Sequence, residues 1–283
     1  MDNQLSKKVD GKQLAREILE TLKPRISVLK KKKIIPTLAV IQVGNDTGSE
    51  SYIRMKRKAA KKIGAAVIVK HFPNSVFFQE MAEAIHRFNA NGDVHGIIIQ
   101  RPLPPMLQTD AFNTAVDFRK DIDGFRAKST FRPPIALAIF HILRTVYQLQ
   151  NVTTHLKSKH IVILGRGETA GKPIAEMFTD KKIAFLQCHS QTTNMHEFTQ
   201  EADIIISCVG KQRVVIKDMI KEGAVLIGVG IERDQKGKLH GDYDEEEIQE
   251  KASFYTPTPG GIGPINVAYL MSNLVTAAED VIQ

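Results

Sequence analysis

The chain is 283 residues long, 42% hydrophobic and 25% charged, the balance of a folded protein rather than of collagen, coiled coil or disorder. Lys and Arg outnumber Asp and Glu by 39 to 31, and the formal net charge of +8 favours anionic partners. No run reaches the roughly 18–20 apolar residues that cross a bilayer, so a membrane is not expected.

Residues Met1–Lys8 are polar rather than leader-like, which points to a cytoplasmic protein. Helical spacing of Leu14, Ile18, Leu22, Ile26 and Leu29 predicts a helix over Val9–Leu29, closed by the cations Lys30–Lys33. Thr37–Val43, ended by Gly44, reads as a buried strand. A helix follows over about Gly48–Lys62, with Arg54, Lys56, Arg57, Lys58, Lys61 and Lys62 on it. Neither basic group is interleaved with aromatics and no recognition module is visible, so nucleic acid is not the expected partner. A strand over Ala65–His71, a helix over about Phe77–Asn89 and a strand over His95–Gln100 come next, then the rigid run Arg101–Pro105. Pro133–Gln150 reads as a long amphipathic helix. A second series has strands at His160–Leu164, Ile183–Gln187, Ala202–Cys208 and Ala224–Val229, and a final helix over about Asn266–Val281. The alternation of strand and helix predicts parallel sheets with crossover helices. The expected fold is α/β in two lobes with a cleft between them: an N-terminal three-layer α/β catalytic domain and a Rossmann-like dinucleotide-binding domain. Cys188 and Cys208 sit beside strand-like runs and read as reduced core or pocket-wall residues. No spacing of His or Cys suggests a metal.

After the strand His160–Leu164 the chain reads Gly165-Arg166-Gly167-Glu168-Thr169-Ala170-Gly171. The glycine spacing is one residue longer than the common dinucleotide fingerprint, but the physics is the same. Gly165 permits the turn, Gly167 a close approach to a pyrophosphate, and Gly171 close packing of the helix whose N-terminus attracts phosphate. An ordinary βα turn is the alternative, and the repeating βα rhythm weighs against it. The next strand ends Cys188-His189-Ser190-Gln191-Thr192, with no acid for a ribose hydroxyl. Ser190 and Arg166 would suit a 2′-phosphate, which favours NADP while leaving NAD open; a capped turn is the other reading of Ser190 and Thr192.

Tyr52 and Lys56 share one helix face. A lysine in a cleft can have a lowered pKa and relay protons. The chain around this pair, Val43-Gly44, Ser49, Tyr52 and Lys56, together with Gln100-Arg101-Pro102-Leu103-Pro104, Lys120-Asp121-Ile122-Asp123-Gly124-Phe125 and Pro259-Gly260-Gly261-Ile262-Gly263-Pro264, resembles the bifunctional methylenetetrahydrofolate dehydrogenase/methenyltetrahydrofolate cyclohydrolase family along almost its whole length.

The resemblance implies oxidation of 5,10-methylenetetrahydrofolate with NADP, then hydrolysis to 10-formyltetrahydrofolate, in one-carbon metabolism. It implies Lys56 as general acid/base, Tyr52 against the folate ring, Gln100 bonded to Lys56, and Asp123 accepting from the pterin. Without the resemblance, Asp123 reads as a turn residue before Gly124 and Gln100 as a strand-end cap. Pro102, Leu103, Gly260, Gly261 and Pro264 would border the substrate. Gly165, Arg166, Gly167, Thr169, Gly171, His189, Ser190, Cys208, Val209, Gly210, Gly230 and Ile231 would bind the cofactor. The implied division is residues 1–145, completed by helix 266–283, for the folate-binding catalytic domain and 146–265 for the dinucleotide-binding domain. The resemblance also implies a homodimer. The sequence departs from the family pattern in a short segment after Phe125, from Arg126 to Ile135, and at Arg101, Gly167, Gly228 and Ile265-Asn266. These departures cluster on the cofactor side, so the alternatives are a cyclohydrolase with weakened or lost dehydrogenase activity, or a silent ligand-binding paralogue.

Overall fold

A computed structural model describes residues 7–107, 110–126 and 129–281. Met1–Ser6 of the polar N-terminus, and Ala127 and Lys128 of the short segment after Phe125, lie outside the described residues. The chain forms two compact units, Ala15–Pro134 with Asn266–Gln283, and Met1–Leu14 with Ile135–Ile265.

The first unit holds α1 (Gly11–Lys31, from Ala15 onward), β1 (Thr37–Val43), α2 (Thr47–Ile63), β2 (Ala66–Phe72), α3 (Phe78–Ala90), β3 (Gly96–Ile99) and the short α4 (Asp110–Ala115). Its strands are parallel in the order β2-β1-β3, with Leu38 opposite Val67 on one side and Gly96 on the other. The apolar-rich β1 is buried along its whole length, as a central parallel strand covered on both faces must be. At the edge, β2 exposes Ile68, Lys70 and His71. The core gathers Ile41, Met81, Ile85, Ile97 and Phe112. Helix α2 begins where the Asp46 carboxylate accepts the Ser49 N–H at 2.7 Å, and it ends at Gly64, whose φ of 85° is left-handed. Ile53, Ala60 and Ile63 form its buried face, and Lys56 lies on that same face.

The second unit holds α5 (Pro134–Tyr147, from Ile135), α6 (Thr153–Leu156), β4 (Ile161–Leu164), α7 (Gly171–Asp180), β5 (Leu186–Cys188), α8 (Met195–Glu201), β6 (Ile204–Ser207) and β7 (Val225–Gly228). The hairpin β8 (Ile231–Arg233) and β9 (Leu239–Gly241), α9 (Glu245–Ile248) and β10 (Phe254–Tyr255) follow. The last helix, α10 (Ile262–Asp280), starts in this unit and belongs to the first from Asn266 on. Five strands form a parallel sheet in the order β10-β7-β6-β4-β5. The chain steps outward from β4 to β5, then returns to lay β6 on the other side of β4. The strand direction of travel therefore reverses between β4 and β6, and in the first unit between β1 and β3. Ligands of doubly wound sheets bind outside the strand carboxyl ends at such points.

Three sequence expectations shift. The strand expected at Ile183–Gln187 is Leu186–Cys188. Lys182 takes a φ of 54° and the Ile183 N–H bonds to the Phe178 carbonyl, so Ile183 closes α7 instead of opening a strand. The helix expected to run to Gln150 stops at Tyr147, because Gln148 adopts a φ of 54°. The final helix begins at Ile262, earlier than Asn266.

Candidate active site

In the first unit the site forms where α2 passes the carboxyl end of β3. The Lys56 Nζ donates to Gln100 Oε1 at 2.9 Å, and both residues are buried. The Gln100 amide is oriented by its other end: Nε2 donates to the Arg101 carbonyl at 2.9 Å. Ser49 Oγ donates to that same carbonyl at 3.0 Å. One backbone oxygen thus fixes Gln100 so that its own oxygen faces the lysine. Burial pushes the Lys56 ammonium below the usual lysine range, and the charge of Asp123 opposes this. Burial likewise pushes Asp123 up to about 6, against the pull of Lys56 and Arg101 and with a further push from Asp121. Desolvation also raises the Tyr52 hydroxyl. The structure therefore brings Lys56, Gln100 and Asp123 into one electrostatic group, with Tyr52 one helical turn before Lys56. Pro102 and Leu103 line an open pocket of about 510 Å³ together with Val43, Asn45, Asp46 and Asn74. It lies at the β1/β3 reversal.

Further residues, inside and outside the sequence motifs, hold this group in place. Asp121 accepts the Arg126 N–H at 2.9 Å, and its carbonyl accepts from Ser129 Oγ at 2.9 Å. The buried Asn273 of α10 donates to the carbonyls of Ile122 and Arg132, at 2.9 and 3.0 Å. Lys120 donates to the carbonyls of Phe88, Asn89 and Asn91 at the end of α3. The segment carrying Asp123 is thus pinned from both sides. Lys120 and Asp121 stand in the quoted motif, whereas Asn273 has no local signal beyond its place in an apolar helix.

In the second unit Gly165 turns off β4 with a φ of 96°, and its N–H bonds to the Cys188 carbonyl at 2.8 Å. A β-carbon on Gly171 would lie 2.3 Å from the Gly165 carbonyl oxygen, so only glycine lets α7 start so close to the turn. Around Gly167 there is open space within 4 Å. Arg166, Thr169 and Ser190 are exposed beside it. His189 Nδ1 accepts the Gln191 N–H, and the His189 N–H donates to Thr192 Oγ1 at 3.0 Å, so the segment after β5 is a bonded turn. Cys208, Val209 and Gly210 follow β6, across the β4/β6 reversal from Gly165. Gly230 and Ile231 follow β7. Burial and the nearby Asp242 charge push the Cys208 thiol up. At Gly228 a β-carbon would stand 3.1 Å from the Tyr243 ring and hydroxyl. The Gly228 N–H donates to that hydroxyl and to Thr256 Oγ1, so Tyr243 fills the space a side chain would need. Gly260, with a φ of 110°, Gly261 and Pro264 belong to this unit, where Gly11 packs so closely that its β-carbon would lie 1.8 Å from the Gly261 carbonyl oxygen. Among the described residues no group of three or more His, Cys, Asp or Glu could hold a metal ion, and no described helix is long and apolar enough to cross a membrane.

Residues 9–123 match the catalytic-domain model of tetrahydrofolate dehydrogenase/cyclohydrolase, and residues 137–282 match its NAD(P)-binding-domain model. A curated relative from Bacillus licheniformis, bifunctional protein FolD, is 38% identical over 284 residues, covering 97% of this chain and 98% of its own. The crystal structure of the bifunctional FolD methylenetetrahydrofolate dehydrogenase/cyclohydrolase from Campylobacter jejuni superposes with a TM-score of 0.89 at 34% identity, covering 96% of this chain and 98% of the other. The Trypanosoma brucei enzyme, solved with NADP cofactor and an inhibitor, also gives 0.89, at 28% identity over 97% and 98%. The molecule is of the class of two-domain α/β enzymes. The chain belongs to the tetrahydrofolate dehydrogenase/cyclohydrolase family.

Proposed function

We propose that this protein oxidises 5,10-methylenetetrahydrofolate to 5,10-methenyltetrahydrofolate with NADP and hydrolyses the product to 10-formyltetrahydrofolate. The observation that carries this is the buried Lys56 ammonium, bonded to an oriented Gln100 and facing the charge of Asp123. A lysine depressed by burial gives up its proton more readily than a free one, and the hydrolytic step requires such an exchange. Neutral Lys56 takes a proton from the water that adds to the methenyl carbon. It then returns that proton to the ring nitrogen as the carbon–nitrogen bond breaks, while the carbinol proton leaves to solvent as the formyl group forms. One proton is released overall. Gln100 holds the amine in place through both transfers, Tyr52 lies against the folate, and Asp123 accepts N–H groups of the pterin. The folate-binding catalytic role falls to residues 1–145 with 266–283, and the dinucleotide-binding role to 146–265.

The residues after β4 fit a dinucleotide. Gly167 leaves open space at the turn, and Gly171 brings the N-terminus of α7 against it. Gly165, Arg166, Gly167, Thr169 and Gly171 would hold the phosphates, and His189 and Ser190 the 2′-phosphate. Bound NADP supplies the hydride acceptor; the protein's part is to position the two reactants. The curated relative named above is bifunctional, and nothing favours a single-activity or silent protein. The family resemblance further supports a cytoplasmic homodimer, which light scattering of the purified protein tests.

Two assays test the function: NADP reduction with methylenetetrahydrofolate, and loss of supplied methenyltetrahydrofolate. Lys56→Ala is expected to lower hydrolysis by about a hundredfold or more, the scale of general acid–base catalysis, with an unchanged circular dichroism spectrum. Persisting hydrolysis overturns the role given to Lys56.

A further inference from the structure

The loop after β6 spends its backbone donors on the protein itself. The N–H groups of Val209, Gly210 and Lys211 donate to the carboxylate of Asp242 at 3.0, 2.7 and 3.0 Å, and Ser207 Oγ donates to it at 2.6 Å. The Cys208 N–H goes to the Leu164 carbonyl, and the Gln212 N–H to Glu232. Successive N–H groups converging on one point form a nest of the kind that binds anions. Here the nest already contains an anion, a side chain with no solvent exposure at all. Gly230 seals the arrangement: a β-carbon there would lie 2.2 Å from the Gly210 nitrogen and 2.4 Å from both Asp242 oxygens. The loop faces the glycine turn, for a β-carbon on Gly165 would lie 2.8 Å from the Cys208 carbonyl oxygen. Among the described residues no donor bonds to the carbonyls of Cys208, Val209 or Gly210.

We propose that Asp242 is a positioning residue for the dinucleotide: it fills the nest after β6, so that this loop offers carbonyl oxygens to hydroxyl and carboxamide donors of the nicotinamide riboside half instead of N–H groups to a pyrophosphate. The inference rests on the dinucleotide reading above and deepens it, since it divides the cofactor between two loops. The N-terminus of α7 takes the phosphates, and the loop after β6 takes the uncharged donor end.

Binding to the full-length protein separates the two halves. In Asp242→Asn the Kd for NADP is expected to rise about tenfold, the scale of one charge-assisted hydrogen bond. The Kd for adenosine 2′,5′-bisphosphate, which lacks the nicotinamide riboside, should change by less than about twofold on the same scale. The cooperative thermal unfolding transition of the full-length variant, compared with that of the unaltered protein, reports whether the fold of the unit carrying Asp242 survives. Should Asp242→Asn fail to fold, Ser207→Ala removes one donor from the nest and is read the same way, with a smaller rise for NADP alone. Equal weakening of both ligands, or an unchanged Kd for NADP, overturns the proposal. Failure of the unaltered protein to bind NADP would overturn the dinucleotide assignment itself.

Discussion

Asp123 and Lys56 are each displaced by burial toward the neutral form, and each is drawn back by the charge of the other. Because the folded protein holds the Asp123 proton more tightly than the unfolded chain does, that carboxyl contributes stability that is complete below its ordinary value of 3.8 and is lost as pH rises through about 6. Its use as an acceptor runs the other way, since only the ionised form accepts pterin N–H groups through both oxygens. The kcat/KM for hydrolysis should therefore fall as pH is lowered through about 6. Asp123→Asn should reduce the overall value and, because the Asp123 charge also raises Lys56, move the acid limb away from about 6 to lower pH, which initial rates across a pH series would reveal. Retention of the limb at about 6 in the variant would assign it to another group. Gln100→Ala removes the acceptor of the lysine and is expected to lower hydrolysis by about tenfold or more, the range of a lost hydrogen bond to a charged group. The smaller loss relative to Lys56→Ala distinguishes a residue that orients from one that transfers the proton.

At the scale of elements, Gly167 and Gly171 of the turn after β4 should behave oppositely. Gly171→Ala drives a β-carbon into a backbone oxygen that cannot swing away. It is expected to cost about 1–3 kcal/mol, the usual scale of overpacking, and to raise the KM for NADP. Gly167→Ser enters open space and should leave the melting temperature unchanged, as calorimetry of the two variants would show. The same turn shows why part of the molecule can be read from sequence. Thr37–Val43 is bounded by Gly44 and is strand from end to end, because a covered parallel strand must be apolar over its full length. Tyr52 and Lys56 are legible through the motif around them, because four-residue spacing alone puts them on one helix face and would equally suit a solvated surface pair. The hairpin β8–β9 is not legible, since strands of three residues are too short to show an apolar alternation. Asp242 is hidden for a related reason. It acts on a loop far away in sequence, and a carboxylate that satisfies backbone donors leaves no periodic or spaced pattern. Asn273, bonded to carbonyls on two other segments, is silent on the same grounds.

The whole molecule is interleaved in sequence: the first unit needs residues 266–283 and the second needs residues 1–14. Helix α10 supplies Leu270, Met271, Leu274 and Val275 to buried positions, and Asn273 clamps the segment that carries Asp123. A chain ending at Ile265 should therefore lose methenyltetrahydrofolate hydrolysis together with its cooperative unfolding transition, in contrast to Lys56→Ala, which loses only the activity. A truncated chain that still hydrolyses the substrate would show that α10 is dispensable to the site.

The late position of α10 also sets a clock on biosynthesis. The ribosome finishes Pro134 and then makes residues 135–265 before the helix that completes the first unit begins to emerge. At about 5–20 residues per second this takes roughly 7–26 s. During that interval the parallel sheet β2-β1-β3 exists without the helix that buries it, and its edge strand β2 carries an exposed Ile68. The first unit thus stays incomplete while residues 135–265 are made, and a segment translated after the whole of the second unit's sheet decides when the first can close.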